Sequence, residues 1–295
     1  MNIDSFITYL KTERRYSPYT LMAYENDLRQ FIDFREELNR AGKASEKEER
    51  QIRQWIVNMM EEGISARSVK RKISALNSYY RFLLRSGIIS FNPLSRVALP
   101  KSGKRLPGFI PEDKLDFLLD EVEFGDDFNG ARNRLLIEML YFTGMRRSEL
   151  IGLKNNDVNI SGMTIKVLGK GGKERLIPVG NAFSHTLSEY TGRKASEFGN
   201  LLPSDPFFVT NSNRRLYPEM VYRIVRKYLR MVTTGDKRSP HTLRHSFATH
   251  MLNHGADLNA IKELLGHASL SATQVYTHNS FEKLKKVYKQ AHPRA

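Results

Sequence analysis

Four short stretches of this 295-residue chain carry side chains suited to handling a phosphate group. The first is Thr143-Gly144-Met145-Arg146-Arg147-Ser148-Glu149-Leu150, a glycine-containing break followed by a new helix. An arginine at such a start can offer its guanidinium to an anion beside free backbone N–H groups. The second is Gly169-Lys170-Gly171-Gly172-Lys173, whose glycines let the backbone approach a ligand and set the Lys170 ammonium at a loop tip. Its spacing is not that of a Walker A loop, which argues against nucleotide binding. The third is Ser239-Pro240-His241-Thr242-Leu243-Arg244-His245. Ser-Pro opens a helix, so His241 and Arg244, three apart, share a face near its positive N-terminal end. The fourth is Leu265-Gly266-His267, followed nine residues later by Tyr276. Gly266 reads as the residue closing the helix that holds Ile261 and Leu264.

Each stretch alone also fits a plainer role. Arg146 could be a surface arginine beside a turn, Lys170 an ordinary turn lysine, and Tyr276 a half-buried packing residue beside Val275. His241 and His245 are four apart, but no Glu follows His241, so the H-E-x-x-H zinc pattern is not formed and no metal is expected. Together the six residues make a set suited to metal-free phosphoryl transfer. Two arginines would grip nonbridging oxygens and neutralise charge gathering in the transition state. Lysine and histidine supply protons, and tyrosine supplies an oxygen nucleophile.

The elements that must position these residues are mostly helical. Ser17-Pro18 is a helix start, after which Leu21, Tyr24, Leu28, Phe31 and Ile32 recur at helical spacing. Ile52, Trp55, Ile56 and Met59 mark a further helix that ends at Gly63. Another runs from about Ser65 to Ser86 with Val69, Ile73, Leu76, Tyr80 and Leu83 as its buried stripe. Around that stripe lie Arg67, Lys70, Arg71, Lys72, Arg81 and Arg85, with almost no acid between them. This predicts either a solvated helix face or one turned to phosphates. Between Asn92 and Pro111 four prolines, two glycines and the basic residues Lys101, Lys104 and Arg105 read as a stiff linker that could lie along a phosphate backbone. Helical periodicity resumes at Glu112–Val122 and Ala131–Tyr141. The only convincing strands lie between Val158 and Val179, flanking the Lys170 loop as a β-hairpin.

Composition agrees. Lys plus Arg number 47 against 32 Asp plus Glu, a formal charge of +15, with +8 up to Arg105 and +7 beyond. An excess spread over both halves suits a protein that surrounds a polyanion, although charge alone also fits a merely basic soluble protein. The chain has no cysteine, which excludes disulfides and Cys-ligated zinc. The N-terminus lacks the apolar region of a signal peptide, and no stretch approaches the roughly 18 apolar residues of a membrane span. A cytoplasmic protein is expected.

The series R…K…HxxR…H…Y, in the contexts TGMRRSEL, LGKGGKER, HTLRHSFATH and LLGHASLSATQVYTH and with the terminal HPRA, resembles the tyrosine recombinase (phage integrase) family. It looks closest to the Xer-type recombinases that resolve chromosome dimers, and the similarity runs over essentially the whole chain. Arg147 stands where an apolar residue is more usual, and Ala272 where Ser or Thr is. The resemblance implies a mainly α chain with a small antiparallel β element. Its parts would be a helical core-binding domain at 1–98, a basic linker at 99–110, an α+β catalytic domain at 111–278 and a protomer-linking helix at 279–295.

It further implies that Tyr276 attacks a backbone phosphate, leaving a 3′-phosphotyrosyl enzyme and a free 5′-hydroxyl. Arg146 and Arg244 would bind the scissile phosphate, Lys170 would protonate the leaving 5′-oxygen, and His241 and His267 would assist. Because the bond energy stays in the phosphotyrosine, neither ATP nor another cofactor is expected. The implied partners are double-stranded DNA with paired recombination sites and three further protomers, of this chain or of a second recombinase, together with an activating protein. DNA contacts would come from Arg67, Lys70, Arg71, Lys72, Lys101, Lys104 and Arg105. Phe281, Leu284 and Tyr288 form one apolar face near the C-terminus, which would pack either onto its own domain or, as the resemblance implies, into a groove of a neighbouring protomer. The competing readings are an integrase or invertase of a mobile element, a type IB topoisomerase and a DNA-binding protein without catalysis. Helical pattern from Ile3 onward makes an added N-terminal arm-binding module unexpected.

Overall fold

A computed structural model of the chain describes residues 3–43, 45, 47–101, 108–169, 172–234, 238–266 and 278–294, without the side chains of 181–182 and 278–280. Half of the expected linker, residues 102–107 with Lys104 and Arg105, lies outside the described residues, as do Lys170, His267 and Tyr276. The chain forms two compact units, Met1–Arg105 and Leu106–Ala295.

The first unit holds α1 (Ile3–Thr12), α2 (Pro18–Arg40), α3 (Glu48–Glu61) and α4 (Ala66–Arg85). Ser17 caps α2 by accepting the Thr20 N–H at 3.3 Å, with Pro18 at the first helical position, where no N–H is needed. Ser65 caps α4 in the same way through the Ser68 N–H. The stripe Val69, Ile73, Leu76 and Tyr80 is buried against Phe6, Leu28, Phe31 and Trp55, so helical periodicity and core agree here.

The second unit begins with α5 (Glu112–Asp120), α6 (Phe128–Thr143) and α7 (Arg147–Gly152). Leu135 to Phe142 are buried on every side of α6, which makes it the central helix of the unit. Its N-terminus lies three residues before the periodic stretch, because the Asp127 carboxylate accepts the Gly130 N–H at 2.8 Å. A three-stranded antiparallel sheet follows, ordered β1 (Val158–Asn159), β2 (Thr164–Leu168) and β3 (Glu174–Pro178). In the β2–β3 hairpin Leu168 faces Glu174 and Ile165 faces Ile177. The helices α8 (Asn181–Phe198), α9 (Pro218–Val232), α10 (Pro240–Asn253), α11 (Leu258–Leu265) and α12 (His278–Ala291) complete the unit.

In this single chain α12 takes the own-domain alternative. Instead of leaving its apolar face for a neighbour, α12 buries Leu284, Tyr288 and Ala291 in the core of its own unit. Beyond it the Arg294 guanidinium reaches back to Asp116 at 2.8 Å and forms a fork with Asp120. A short amphipathic helix needs a groove, and within one chain its own unit supplies one at high effective concentration.

Candidate active site

The α6 helix must end sharply for Arg146 to project. Gly144 terminates it at φ 58°, and a Cβ there would lie 2.5 Å from the Phe247 ring, so only glycine fits. Arg146 then takes the cap position of α7 in an extended conformation. Glu149, one turn in, reaches back to accept the Arg146 N–H at 2.7 Å and its guanidinium at 2.8 Å. This double contact fixes backbone and side chain of Arg146 together.

Arg244 arrives from α10, which Ser239 caps by accepting the Thr242 N–H. Its side chain points inward, with Arg244 6% exposed. The guanidinium donates to Gly144 O at 2.6 Å and Leu265 O at 2.8 Å. Burial, with Arg146 nearby, pushes its pKa down to about 10, still far above neutrality. His241 lies exposed in the first turn of α10.

The short helix α11 supplies the meeting point. Asp257 caps its start, and Gly266 closes it at φ 64°. Its last carbonyls, left without intrahelical partners, each receive a different arginine. Arg175 donates to Leu264 O at 2.8 Å, Arg244 to Leu265 O at 2.8 Å and Arg146 to Gly266 O at 3.2 Å. Three cations at the negative pole of one helix are mutually tolerable because that pole and Glu149 offset their charge. The structure thus brings Arg146 and Arg244 together, directly before position 267. The Arg146 side chain keeps 40% of its surface exposed, so it remains open to an anion.

Sequence reasoning missed Glu149 and Arg175. Glu149 sits at the third helical position, the capping-box site, and Arg175 shares the inward phase of Ile177 on β3. An arginine at an inward strand position was the available signal. Also missed was α9. Its buried face is Val221, Ile224, Val225, Tyr228 and Leu229, while Arg223, Arg226, Lys227 and Arg230 are all exposed on the other.

The basic face of α4 is less uniform than its sequence. Arg67 is exposed, as is Lys101 beyond the helix. Arg71 holds both oxygens of the buried Asp27 on α2, one of them at 2.7 Å. Lys72 is only 8% exposed, and its ammonium contacts Asp27 and Gln30. The acid missing from the α4 sequence comes from a neighbouring helix, and Lys72 does not present its charge to solvent. Lys70 is half-buried.

Residues 109–283 match the model of the phage integrase family, and residues 3–87 that of the phage integrase N-terminal SAM-like domain. The chain is 41% identical over 294 residues to tyrosine recombinase XerC of Pelobacter propionicus, covering 99% of this chain and 95% of that protein. To tyrosine recombinase XerD of Halalkalibacterium halodurans it is 36% identical over 294 residues, covering 100% and 98%. Among solved structures it is similar to the XerH site-specific recombinase bound to a palindromic difH substrate in a post-cleavage complex. There the TM-score is 0.71 at 26% identity, covering 95% of this chain and 82% of that one.

Proposed function

Because the chain belongs to the phage integrase family, as a site-specific DNA recombinase of the tyrosine type, we propose that it exchanges strands through Tyr276 to resolve dimers of chromosomes or plasmids. The phenolic oxygen of Tyr276 attacks phosphorus, the P–O5′ bond breaks, and Lys170 gives the departing oxygen its proton. Arg146 and Arg244 bind the nonbridging oxygens, and His241 and His267 assist the proton transfers. Attack of a new 5′-hydroxyl on the phosphotyrosine reverses these steps and releases Tyr276.

One observation supports the reading most. Arg146 and Arg244, 98 residues apart in sequence, donate to adjacent carbonyls at the end of α11. A phosphate arriving there offers both a stronger, charged acceptor. The exposed Arg67, Lys101, Arg223, Arg226, Lys227 and Arg230 would hold the flanking DNA backbone. Residues 1–98 serve as the core-binding domain, 99–110 as a basic linker and 111–278 as the catalytic domain. Four protomers, all of this chain or two of a second recombinase, act on paired sites with an activating protein. In that assembly 279–295 would leave its own unit for a neighbour. No helix among the described residues is long and apolar enough to cross a membrane, and the cytoplasm is the compartment this reading requires.

The test is a covalent trap. Full-length protein incubated with genomic fragments and run on a denaturing gel should carry DNA linked through Tyr276, and sequencing that DNA would give the site. Protein that binds DNA tightly yet forms no adduct would overturn the reading.

A further inference from the structure

The three arginines around α11 are not equally accounted for. Arg146 and Arg244 have a phosphate to bind, whereas Arg175 is buried at 5% exposure with all its contacts inside the protein. Burying a guanidinium is expensive unless every donor has a purpose. Arg175 meets Glu149 as a two-pronged pair, Nη1 to Oε1 at 3.1 Å and Nη2 to Oε2 at 2.9 Å. The same two carboxylate oxygens accept from Arg146, through its guanidinium at 2.8 Å and its backbone N–H at 2.7 Å. The third donor nitrogen of Arg175, Nε, donates to Leu264 O at 2.8 Å. The strand β3, the helix start at Arg146 and the end of α11 therefore meet at one side chain. The fit is close, since a Cβ on Gly266 would lie 3.0 Å from Arg175 Nη1.

We propose that Arg175 is a positioning residue for strand cleavage, which fixes the Glu149 carboxylate and through it the orientation of Arg146. This rests on the function assigned to Arg146 above. A fork-to-fork pair allows the carboxylate plane one orientation, and Arg146 must then lie along its remaining lone pairs. Arg175 also controls the charge. Burial favours the neutral acid at Glu149, and the Arg175 hydrogen bonds and charge, followed by Arg146, hold its pKa below the ordinary value. Without Arg175 the burial remains and the strongest opposing partner is lost. Arg146 on α7, Arg175 on β3 and Arg244 on α10 are the charged groups facing this carboxylate among the described residues.

The experiment uses full-length protein and a labelled, nicked duplex carrying the site recovered from the covalent trap. Arg175→Met should keep single-site binding within a few-fold and lower the cleavage rate by on the order of 100-fold, the usual effect of a misplaced reacting group. Its rate relative to wild type should fall further on going from about pH 8 to about pH 5.5, as the unguarded Glu149 takes a proton. In an Arg146→Ala background the same change should cost little more, because the two residues act in series.

Arg175→Lys, which keeps charge but not the fork, should restore part of the rate and most of the acid tolerance. The double change Arg175→Met with Glu149→Gln removes the buried carboxylate charge that has lost its main partner and keeps the fold, while still cleaving slowly. A merely structural arginine would give losses that add to those of Arg146→Ala and a pH-independent ratio to wild type. Either result, or near-normal cleavage by folded Arg175→Met, overturns the proposal. Failure of the assigned function would show differently, as absence of any adduct from the wild-type chain, and would overturn both.

Discussion

Arg146 and Arg244 donate to consecutive backbone carbonyls, Gly266 O at 3.2 Å and Leu265 O at 2.8 Å. Two guanidiniums held on consecutive carbonyls are suited to gripping one tetrahedral anion between them. The carbonyls hold the arginines in place, so in the proposed mechanism little reorganisation would be required on binding a phosphate.

Arg146→Ala and Arg244→Ala should each slow cleavage by on the order of 100-fold or more, as for removal of one transition-state charge donor. Lysine should substitute poorly, since it lacks the planar fork. The two sites should differ in stability. Arg146 is partly exposed, and its loss should leave the melting temperature nearly unchanged. Arg244→Ala strips donors from Gly144 O and Leu265 O in the interior, at about 1–3 kcal/mol for a buried group left unsatisfied. Single-turnover cleavage and thermal melts of both variants check this, and near-normal cleavage by Arg244→Lys would sink the assignment.

Tyr276→Phe should bind its site as wild type does and form no covalent adduct, because only the nucleophilic oxygen is lost. A gel-shift assay beside a denaturing gel reads both outcomes. An adduct with the Phe variant would place the nucleophile elsewhere.

Much of this site is legible in the sequence because it depends on local rules. Ser239-Pro240 announces a helix start and Gly266 a helix end, and both stand as expected. What sequence hides is the set of partners brought from far away. Arg175 lies 89 residues from the carbonyl it holds, and its meaning appears only when β3 packs against α11. Lys72 misleads for the same reason, since the acid that neutralises it belongs to α2. The destination of α12 was equally unreadable, because an apolar stripe specifies a groove but not whose groove it is.

Lys72→Met should therefore act on stability and Arg67→Ala on DNA affinity. Asp27 would remain paired with Arg71, so the melting temperature of the first unit shifts while the salt dependence of binding does not. Arg67→Ala should lower the salt slope by about 1, one phosphate contact's share. The opposite assignment of effects would show that Lys72 turns outward to DNA.

Cutting the chain after Thr277 removes part of the core of the second unit. Leu284 and Tyr288 are buried in the second unit, and the Leu284 side chain alone contributes about 1.5–3 kcal/mol by its burial. The truncated protein should melt at a clearly lower temperature even without DNA or a second copy. An unchanged melt would mean that α12 is not held by its own unit.

Acidification should loosen the same contact through His292. Its ring is 5% exposed and stacks on Tyr288 at 4.9 Å, while Nδ1 accepts the Arg294 N–H at 3.1 Å, a role open only to the neutral imidazole. Burial, helped by the nearby His250, His254 and Arg294 charges, pushes its pKa down to about 3. His250, which shares a hydrogen bond with Tyr141 at 2.8 Å, is lowered as well, again chiefly by burial. In the unfolded chain both return to about 6.5. Between about pH 6.5 and pH 3 the unfolded state thus binds more protons, so stability is full above that window and falls as pH drops through it. Carboxylates titrate there too, which makes the difference from a variant the useful quantity. His292→Phe keeps an aromatic ring on Tyr288 but cannot take a proton. Its melting temperature should fall less steeply than that of wild type between pH 7 and about pH 4. Parallel slopes for the two proteins would show that His292 is not buried in its neutral form.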